Sequence, residues 1–299
     1  MTGRVLLAVG ETMAMVAPAA AGSVVDAGLF CVDAGGAESN VAAHVAALGR
    51  RVRWFSRLGP DPLGDRVARQ LAARGVDVAG VVRDADRPTG LYVKDPGNGV
   101  RYYRAGSAAS RLDVADIAAI DWSDVAVLHV SGITAALSAS AAAFLDAVID
   151  AAHARGVRVS FDVNHRPVLW AEGAAPPALA ALARRADIVF VGRDEAEGLW
   201  GDAAADAVRA RFASVPELIV KDGDVGATAF VGDCAVFVPS RRVEVVDAVG
   251  AGDAFAGGYL AALLDGAPVE ERLQAGHDRA ALTLTTTGDS VADEMRERA

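Results

Sequence analysis

The most chemically suggestive stretch of this 299-residue chain is DAVGAGDAFAGG, residues 247–258. A hydrophobic segment precedes it and a helical pattern follows, so Gly250, Ala251 and Gly252 fall where a strand gives way to a helix. Backbone N–H groups at a helix N-terminus form an anion site. A carboxylate beside such a site, here Asp253, can accept the proton of a hydroxyl that attacks a bound phosphate. The alternative is that Asp253 only caps the helix.

A second group of candidate binding residues lies in AGGAESNVAAHVAALG, residues 34–49. Gly35 and Gly36 allow the backbone to approach a ligand closely. Asn40 offers both a donor and an acceptor at the start of a predicted helix. This combination suits the recognition of sugar hydroxyls, although a turn capped by Ser39 or Asn40 explains the same residues.

Two arginines indicate an acidic ligand. Arg104 follows Tyr102 by two positions in VRYYRAGS, so both side chains share one face of a predicted strand. Arg166 comes just after the predicted strand VRVSFDV, at the position where α/β sheets bind ligands. Guanidinium groups hold carboxylates in bidentate geometry, which favours a sugar acid over a neutral sugar. The alternative is that both arginines are surface or ion-paired residues.

Short apolar runs that alternate with alanine-rich stretches must position these residues. The pattern predicts βαβ units, and hence a mostly parallel central sheet flanked by helices. The runs read as strands are 5–9, 125–130, 157–163, 187–191 and 217–221, with helices at 138–156 and 176–186. Two further regions, at about 22–32 and 89–104, alternate instead and contain the turn PGNG. They predict a small β-sheet lid inserted into a single domain spanning residues 1–299.

Composition narrows the class of protein. The net charge of -10 argues against nucleic-acid binding. No apolar run approaches the roughly 20 residues of a membrane span, and the N-terminus does not resemble a signal peptide, so a cytoplasmic location is expected. The two isolated cysteines are expected to pack as small apolar residues. P-loop, H-E-x-x-H and G-x-S-x-G motifs do not occur, and the five histidines show no ligand spacing.

Residues 34–49, together with Gly59, resemble the first signature of the ribokinase-like (phosphofructokinase-B) carbohydrate kinases. DAVGAGD resembles their second signature, D-T-x-G-A-G-D, with Ala248 in place of threonine. The resemblance implies a ribokinase-like α/β fold with a β-sheet lid, ATP and Mg²⁺ as cofactors, and phosphoryl transfer to a sugar hydroxyl. It implies that Asp253 is the catalytic base and that Gly250, Ala251 and Gly252 form the anion hole.

Two further segments carry this resemblance. KDGDVGA, residues 221–227, is similar to the nucleotide-side K-x-G-x-x-G stretch of the family. The implied cofactor-binding residues are Lys221, Gly223, Gly226, Gly250 and Gly252. GRDE, residues 192–195, resembles the N-x-x-E motif of the family with Gly192 in place of asparagine, which implies that Glu195 lies near the metal.

The segments YYRAGSA and SGIT resemble 2-keto-3-deoxygluconate kinases in particular, whereas DVNHRPVLW is shared with some fructokinases. This implies phosphorylation of the terminal hydroxyl of 2-keto-3-deoxygluconate, and a homo-oligomer formed through the lid. Two alternatives stay open: a fructokinase or other sugar or nucleoside kinase, and a non-catalytic sugar-binding protein. The residues implied for the substrate pocket are Gly35, Gly36, Asn40, Tyr92, Tyr102, Arg104, Ile133, Arg166 and Asp289.

Overall fold

The computed structural model describes residues 4–20 and 22–285 of the chain. The strands of that part are β1 (Val5–Val9), β2 (Met13–Pro18), β3 (Phe30–Gly35), β4 (Val52–Phe55), β5 (Arg57–Leu58), β6 (Val82–Arg83), β7 (Leu91–Asp95), β8 (Gly99–Tyr103), β9 (Val125–Ser131), β10 (Arg158–Asp162), β11 (Ile188–Gly192), β12 (Glu217–Asp222), β13 (Gly226–Val231) and β14 (Cys234–Pro239). Its α-helices are α1 (Ala37–Ala47), α2 (Pro62–Ala73), α3 (Gly132–Leu137), α4 (Ala139–His153), α5 (Ala175–Ala183), α6 (Arg193–Trp200), α7 (Ala205–Arg211), α8 (Ala251–Leu264) and α9 (Val269–Leu284).

The central sheet has the strand order β14-β13-β12-β11-β10-β9-β1-β4. Its strands from β12 to β4 pair in parallel, whereas β13 pairs antiparallel with both β12 and β14. Every residue of β1 and of β11 is buried, as expected for parallel strands covered by helices on both faces. The prediction of a mostly parallel sheet flanked by helices is therefore confirmed.

Alternate residues of the central strands pack in two separate hydrophobic cores, one on each face of the sheet. Leu6 and Ala8 pack in the core that contains α1 and α8 residues, whereas Leu7 and Val9 pack in the core that contains α4 and α5 residues. This follows from the period of two along a strand, which sends successive side chains to opposite faces. The sheet is thus covered on both faces, and the candidate site lies at the edge formed by the carboxyl ends of its parallel strands.

A second sheet, the lid sheet, has the order β3-β2-β7-β8. The predicted turn joins β7 to β8, and their antiparallel register pairs Asp95 with Gly99. The strand expected within 22–32 begins only at Phe30, because the preceding segment turns where Ser23 Oγ donates to Asp26 Oδ2 at 2.7 Å. Strand β2 was not expected in the lid, since MAMVAP is an apolar run without clear alternation.

The glycine pair in the first half of α8 allows two helices to approach closely. A Cβ on Gly257 would lie 2.6 Å from His44 Cβ on α1, and one on Gly258 would overlap the carbonyl oxygen of Ala275 on α9. This confirms the interpretation that these glycines serve packing, and it explains why α8 tolerates residues that disfavour helices. The contacts fix the direction of α8 and thereby the position of its N-terminus.

Both cysteines are free and exposed, so the prediction that they pack as buried apolar residues was wrong. Cys31 lies on β3 at one edge of the lid sheet, and Cys234 lies on β14 at one edge of the central sheet. Edge strands present more side chains to solvent than central strands do. Within residues 4–20 and 22–285, the length and apolar character of each helix fall short of what a membrane crossing needs.

Candidate active site

The candidate catalytic residue lies where the carboxyl edge of the central sheet meets the N-terminus of α8. Asp253 is in the first turn of α8. Strand β10 ends at Asp162, and Asn164 and Arg166 follow it directly. Open α/β sheets bind their ligands at this edge. The fold thus brings the motif around Asp253 next to a segment that lies about 90 positions earlier in the chain.

Two amide side chains hold the carboxylate of Asp253. Asn40 Nδ2 donates to Oδ2 at 2.9 Å, and Asn164 Nδ2 lies 3.5 Å from Oδ1. Burial raises the pKa of Asp253 to about 7, opposed most strongly by the hydrogen bond from Asn40. A general base works best when its pKa lies close to the working pH, so this environment suits proton abstraction.

The alternative that Asp253 serves only as a helix cap does not fit the geometry. The residue at the N-cap position of α8 is Gly250, and this helix has no side-chain cap. Helix α1 likewise begins after Gly36 without a side-chain cap, since glycine has no side chain, and the amide of Asn40 within the helix donates to Asp253. Both polar residues therefore face the site rather than their own helix ends.

The turn before α8 has the features of an anion site. Gly250 has a φ of 82°, a left-handed conformation that glycine adopts without strain. The N–H groups of the first helical turn lack acceptors within a helix, so they can donate to an anion. A Cβ on Gly252 would lie 3.6 Å from Lys221 Nζ, which places an ammonium group beside the turn. Backbone dipoles and this charge both favour a phosphate here.

A cleft of about 90 Å³, here the smaller cleft, opens in front of Asp253. The structure brings into it every substrate residue that was predicted within the described part of the chain: Gly35, Gly36, Asn40, Tyr92, Tyr102, Arg104, Ile133 and Arg166. The glycines are needed because a Cβ on Gly35 would overlap the Tyr92 hydroxyl, and one on Gly36 would overlap the backbone of Glu11. Asp289, the remaining predicted residue, lies outside the described residues.

Arg104 is buried and ion-paired with Glu11 in the smaller cleft. Its Cζ lies 5.5 Å from the centre of the Tyr102 ring, and Ser107 Oγ donates to Glu11 Oε1 at 2.9 Å. Burial raises the pKa of Glu11, although the charge of Arg104 opposes this. Among the described residues, Arg104 Nε has no hydrogen-bond partner. The ion-paired alternative is therefore correct for Arg104, and Nε is left as a buried donor.

Arg166 has a different environment. Its side chain is exposed, and its Nη1 lies 3.4 Å from the carbonyl oxygen of His165. Within the part of the chain that the structure describes, Arg166 forms no salt bridge, and its charge acts to lower the pKa of Asp253. Arg166 is therefore a cation of the smaller cleft that no carboxylate of the described residues pairs directly.

A larger cleft, of about 690 Å³, adjoins the same turn. Val249 and Gly250 line the smaller cleft, whereas Ala251 and Gly252 line the larger one. Of the residues predicted to bind the nucleotide, Gly250 lies in the smaller cleft, and the others are in the larger cleft: Lys221, Gly223, Gly226 and Gly252. The anion turn therefore borders both clefts, as transfer of a group from one ligand to another requires.

The predicted nucleotide stretch is the hairpin turn between β12 and β13. Gly223 and Gly226 have φ values of 46° and 153°, which side-chain-bearing residues rarely adopt. A Cβ on Gly226 would lie 2.5 Å from the carbonyl oxygen of Val238. The glycine spacing of the motif therefore reflects a tight turn whose backbone forms part of the larger cleft.

A buried charge cluster lies beneath the anion turn. Lys221 Nζ donates to Asp162 Oδ2 at 2.9 Å, and Glu195 accepts from the backbone N–H groups of Gly192 and His165 at 2.9 and 2.8 Å. Burial and the charge of Asp162 raise the pKa of Glu195. The two carboxylates share one lysine, which leaves an excess of negative charge that a cation would balance.

These residues fit a divalent cation held in part by phosphate. Within residues 4–20 and 22–285 there is no group of three or more His, Cys, Asp or Glu side chains that could enclose a metal alone. Magnesium sites in phosphoryl-transfer enzymes commonly use one or two carboxylates together with substrate phosphates. Gly192, in place of asparagine, leaves Glu195 in position, because its backbone N–H is the group that donates to Glu195.

Sequence reasoning missed several residues of the site. The smaller cleft also contains Glu11, Met13, Lys94 and Val100, none of which follows from a motif, and Val249, which lies within the DAVGAGD segment. Asp162 and Asn164 could have been found, since the rule that selected Arg166 applies to every polar residue after β10. Glu11 and Lys94 required the fold of the lid sheet, which the alternation pattern defined only in part.

The fold and the two clefts define a class of protein, the ribokinase-like sugar kinases. An α/β sheet, a lid sheet over the smaller cleft and an anion turn shared by two clefts are the parts that this class combines. The chain belongs to the pfkB family of carbohydrate kinases, whose model, described as "pfkB family carbohydrate kinase", matches residues 4–295. It is therefore an ATP-dependent sugar phosphotransferase.

Known relatives cover nearly the whole chain. It is 37% identical over 298 residues to the 2-dehydro-3-deoxygluconokinase of Bacillus subtilis, a match covering 97% of this chain and 92% of the relative. It is 34% identical over 306 residues to fructokinase-1 of Oryza sativa subsp. japonica, covering 96% and 94%. The crystal structure of a PfkB protein from Polaromonas sp. JS666 is similar with a TM-score of 0.86 at 35% identity, covering 98% and 99%.

Proposed function

We propose that this kinase transfers the γ-phosphoryl group of ATP to the terminal hydroxyl of 2-keto-3-deoxygluconate. One observation carries the proposal: Asp253 lines the smaller cleft, while the adjacent residues Ala251 and Gly252 line the larger one. A base with a pKa of about 7 thus lies between a place for a sugar and a place for a nucleotide.

The residues around the turn divide the work of transfer. Asp253 accepts the proton of the hydroxyl as its oxygen attacks the phosphorus atom. Asn40 holds the carboxylate toward the cleft through its 2.9 Å hydrogen bond. The N–H groups of residues 250–252 donate to the charge on the transferred group, and Lys221 adds a positive charge beside them.

A divalent ion belongs to the proposed reaction. Glu195 and Asp162 are the carboxylates that would hold Mg²⁺ near the phosphates of ATP. When bound, the ion neutralises phosphate charge and polarises the bond to the transferred group. Burial and the charge of Asp162 raise the pKa of Glu195, so a cation bound beside both carboxylates would favour their ionised forms.

The acidic substrate is supported by Arg166, by Arg104 and by the 2-dehydro-3-deoxygluconokinase relative. Arg166 lacks a salt bridge among the described residues and can pair with a carboxylate. Arg104 contributes a buried Nε donor. Charge-assisted hydrogen bonds of this kind contribute about 1.5–3 kcal/mol each.

A second candidate substrate is a neutral sugar such as fructose. The 34% identical fructokinase relative favours it, and so does Glu11, which balances the charge of Arg104. If both arginines act on hydroxyls rather than on a carboxylate, the smaller cleft suits a ketose equally well.

An ADP-release assay over a panel of sugars tests the proposal. The panel is 2-keto-3-deoxygluconate, its galactonate epimer, gluconate, fructose, ribose and adenosine. We expect the highest kcat/KM for 2-keto-3-deoxygluconate, with fructose lower by at least about tenfold because it lacks the carboxylate. A higher kcat/KM for fructose would overturn the choice of substrate in favour of the second candidate.

The organisation of the protein completes the proposal. We place the kinase in the cytoplasm, as one domain that spans the chain, and we propose that it assembles into a homo-oligomer through the lid sheet. Leu29 and Tyr103, 77% and 63% exposed at the lid, support such an interface. Light scattering of wild type and Tyr103→Asp tests it, and a wild-type monomer would overturn it.

A further inference from the structure

Lys94 connects the lid sheet to the smaller cleft. It lies on β7 two residues after Tyr92, so the two side chains share the face of the strand that lines this cleft. The neighbouring strand β8 adds Val100 and Tyr102, which pair with Lys94 and Tyr92 in the register. Lys94 is a cation on this lid face, and its side chain is only 14% exposed.

One partner of Lys94, Asp247, belongs to the segment that leads into the anion turn. Lys94 Nζ lies 3.3 Å from Asp247 Oδ2. The other oxygen of the same carboxylate, Oδ1, accepts a hydrogen bond from the backbone N–H of Val249 at 2.9 Å. Asp247 therefore joins the lid sheet with one oxygen and shapes the turn leading to Gly250 with the other.

We propose that Lys94 is a positioning residue that couples the lid sheet to the anion turn through Asp247. This inference rests on the proposed function, because it needs a sugar under the lid and a nucleotide at the turn. A sugar that contacts Tyr92 and Tyr102 restrains the strands that carry Lys94. The ion pair transmits this restraint to the turn, so that its N–H groups are ordered for phosphate when the sugar is in place.

The consequence is a measurable coupling between two binding sites. Restraint of the turn by a bound sugar lowers the cost of ordering it around a nucleotide, and linkage makes this coupling reciprocal. Bound sugar should therefore raise nucleotide affinity. Because the pair is partly exposed, its loss should weaken this coupling by about fivefold rather than abolish binding.

The test measures the affinity of a non-hydrolysable ATP analogue by calorimetry, with and without saturating sugar. The sugar is the one that wild type phosphorylates fastest in the ADP-release assay. The variants are Lys94→Met, Asp247→Asn and the double variant, with Lys94→Arg as the conservative replacement. Arg101→Met is the matched control, since it removes a lid cation from a residue opposite Val93, on the other face of the strand pair.

We expect Lys94→Met and Asp247→Asn each to reduce the sugar-dependent gain in nucleotide affinity by about fivefold, and the double variant to lose no more. Lys94→Arg should retain the gain, and Arg101→Met should leave it unchanged. A full gain in Lys94→Met, or additive losses in the double variant, would overturn the inference. Failure of wild type to phosphorylate any sugar of the panel would instead overturn the proposed function, which separates the two results.

Discussion

The two clefts that meet at Asp253 differ in the chemical groups that line them. The smaller cleft, about 90 Å³, is lined by side chains from the lid sheet, α1 and the edge of the central sheet, and two of them, Glu11 and Arg104, are charged and buried. The larger cleft, about 690 Å³, is lined near the anion turn by glycines and by the hairpin between β12 and β13. We expect the smaller cleft to recognise its ligand through side chains, whereas the anion turn beside the larger cleft offers backbone N–H groups to a phosphate.

From this difference we infer which cleft determines sugar specificity and where phosphoryl transfer takes place. Backbone N–H groups bind any phosphate, so the larger cleft and its turn can serve every member of the family. Under the proposed function, side chains such as Arg104, held by Glu11, would discriminate between sugars because their geometry and charge are fixed before binding. Substitutions in the smaller cleft should therefore change which sugar is used, and substitutions at the turn should change turnover.

The largest effect is expected at Asp253, the residue at the border of the two clefts. Asp253→Asn keeps the shape of the side chain and removes the base, so kcat should fall by about 10²–10⁴-fold. Steady-state ADP release measures this loss. Sugar and nucleotide affinities, measured by calorimetry, should change little, because neither cleft loses a contact surface.

Asp265→Asn, an exposed residue at the other end of α8, serves as the matched control. Its kcat should equal that of wild type. Unchanged kcat in Asp253→Asn would refute the catalytic assignment and revive a purely binding role.

A smaller effect, confined to the acidic substrate, is expected at Arg166. Removing an exposed cation that has no salt bridge among the described residues leaves the fold intact. Arg166→Met should raise KM for 2-keto-3-deoxygluconate by about 10–100-fold, the equivalent of one or two charge-assisted hydrogen bonds. KM for fructose should change far less. An equal rise for both sugars would mean that Arg166 does not bind the carboxylate.

The loss of Arg104, unlike that of Arg166, is expected to lower stability as well as affinity for the sugar acid. Arg104→Met leaves Glu11 buried without its partner, and breaking a buried pair costs about 3–5 kcal/mol of unfolding free energy. Chemical denaturation measures this cost. The double variant Arg104→Met with Glu11→Gln should recover most of the stability but not the affinity for the sugar acid. Recovery of both would assign Arg104 a structural role only.

The dependence on pH follows from the environment of Asp253. Only the ionised carboxylate accepts a proton, and burial raises its pKa to about 7. The value of kcat/KM should therefore fall about tenfold per pH unit below pH 7 and level off above it. The effect of pH on stability has the opposite sign. Because the pKa of Asp253 is raised in the folded state, protonation of this carboxylate favours folding, and its contribution to the unfolding free energy is lost as pH rises from about 4 to 7. Asn40→Ala should shift the activity profile to higher pH.

The features that could be predicted from the sequence are mainly those that depend on the local backbone rather than on distant side chains. The anion turn could be predicted because Gly250, Gly252 and Asp253 are adjacent in the chain and their roles follow from local geometry. Gly223 and Gly226 were predicted through the resemblance of KDGDVGA to a segment of the family. The parallel sheet followed from buried apolar runs, whose period and length depend on local composition.

The rest of the site depends on contacts between distant segments. Glu11 pairs with Arg104 across more than ninety positions, and Lys94 reaches Asp247 across about 150, so no local pattern joins them. Strand β2 escaped prediction for a related reason: its first half is buried although it belongs to the lid sheet, and its sequence resembles that of a core strand. Where tertiary packing decides the environment of a residue, spacing alone does not predict its partner.

The smallest effects, and the ones that most directly separate the two uses of glycine, are expected in α8. Gly252→Ala adds a methyl group 3.6 Å from Lys221 Nζ, an ordinary contact, so the fold should tolerate it. The methyl group occupies space beside the anion turn, and KM for ATP should rise several-fold.

Gly257→Ala places its methyl group 2.6 Å from His44 Cβ and should lower the unfolding free energy by about 1–3 kcal/mol without changing either KM. Denaturation and steady-state kinetics on both variants give opposite patterns if one glycine serves the ligand and the other serves packing. A stable Gly257→Ala enzyme with an altered KM for ATP would show that both glycines act at the larger cleft.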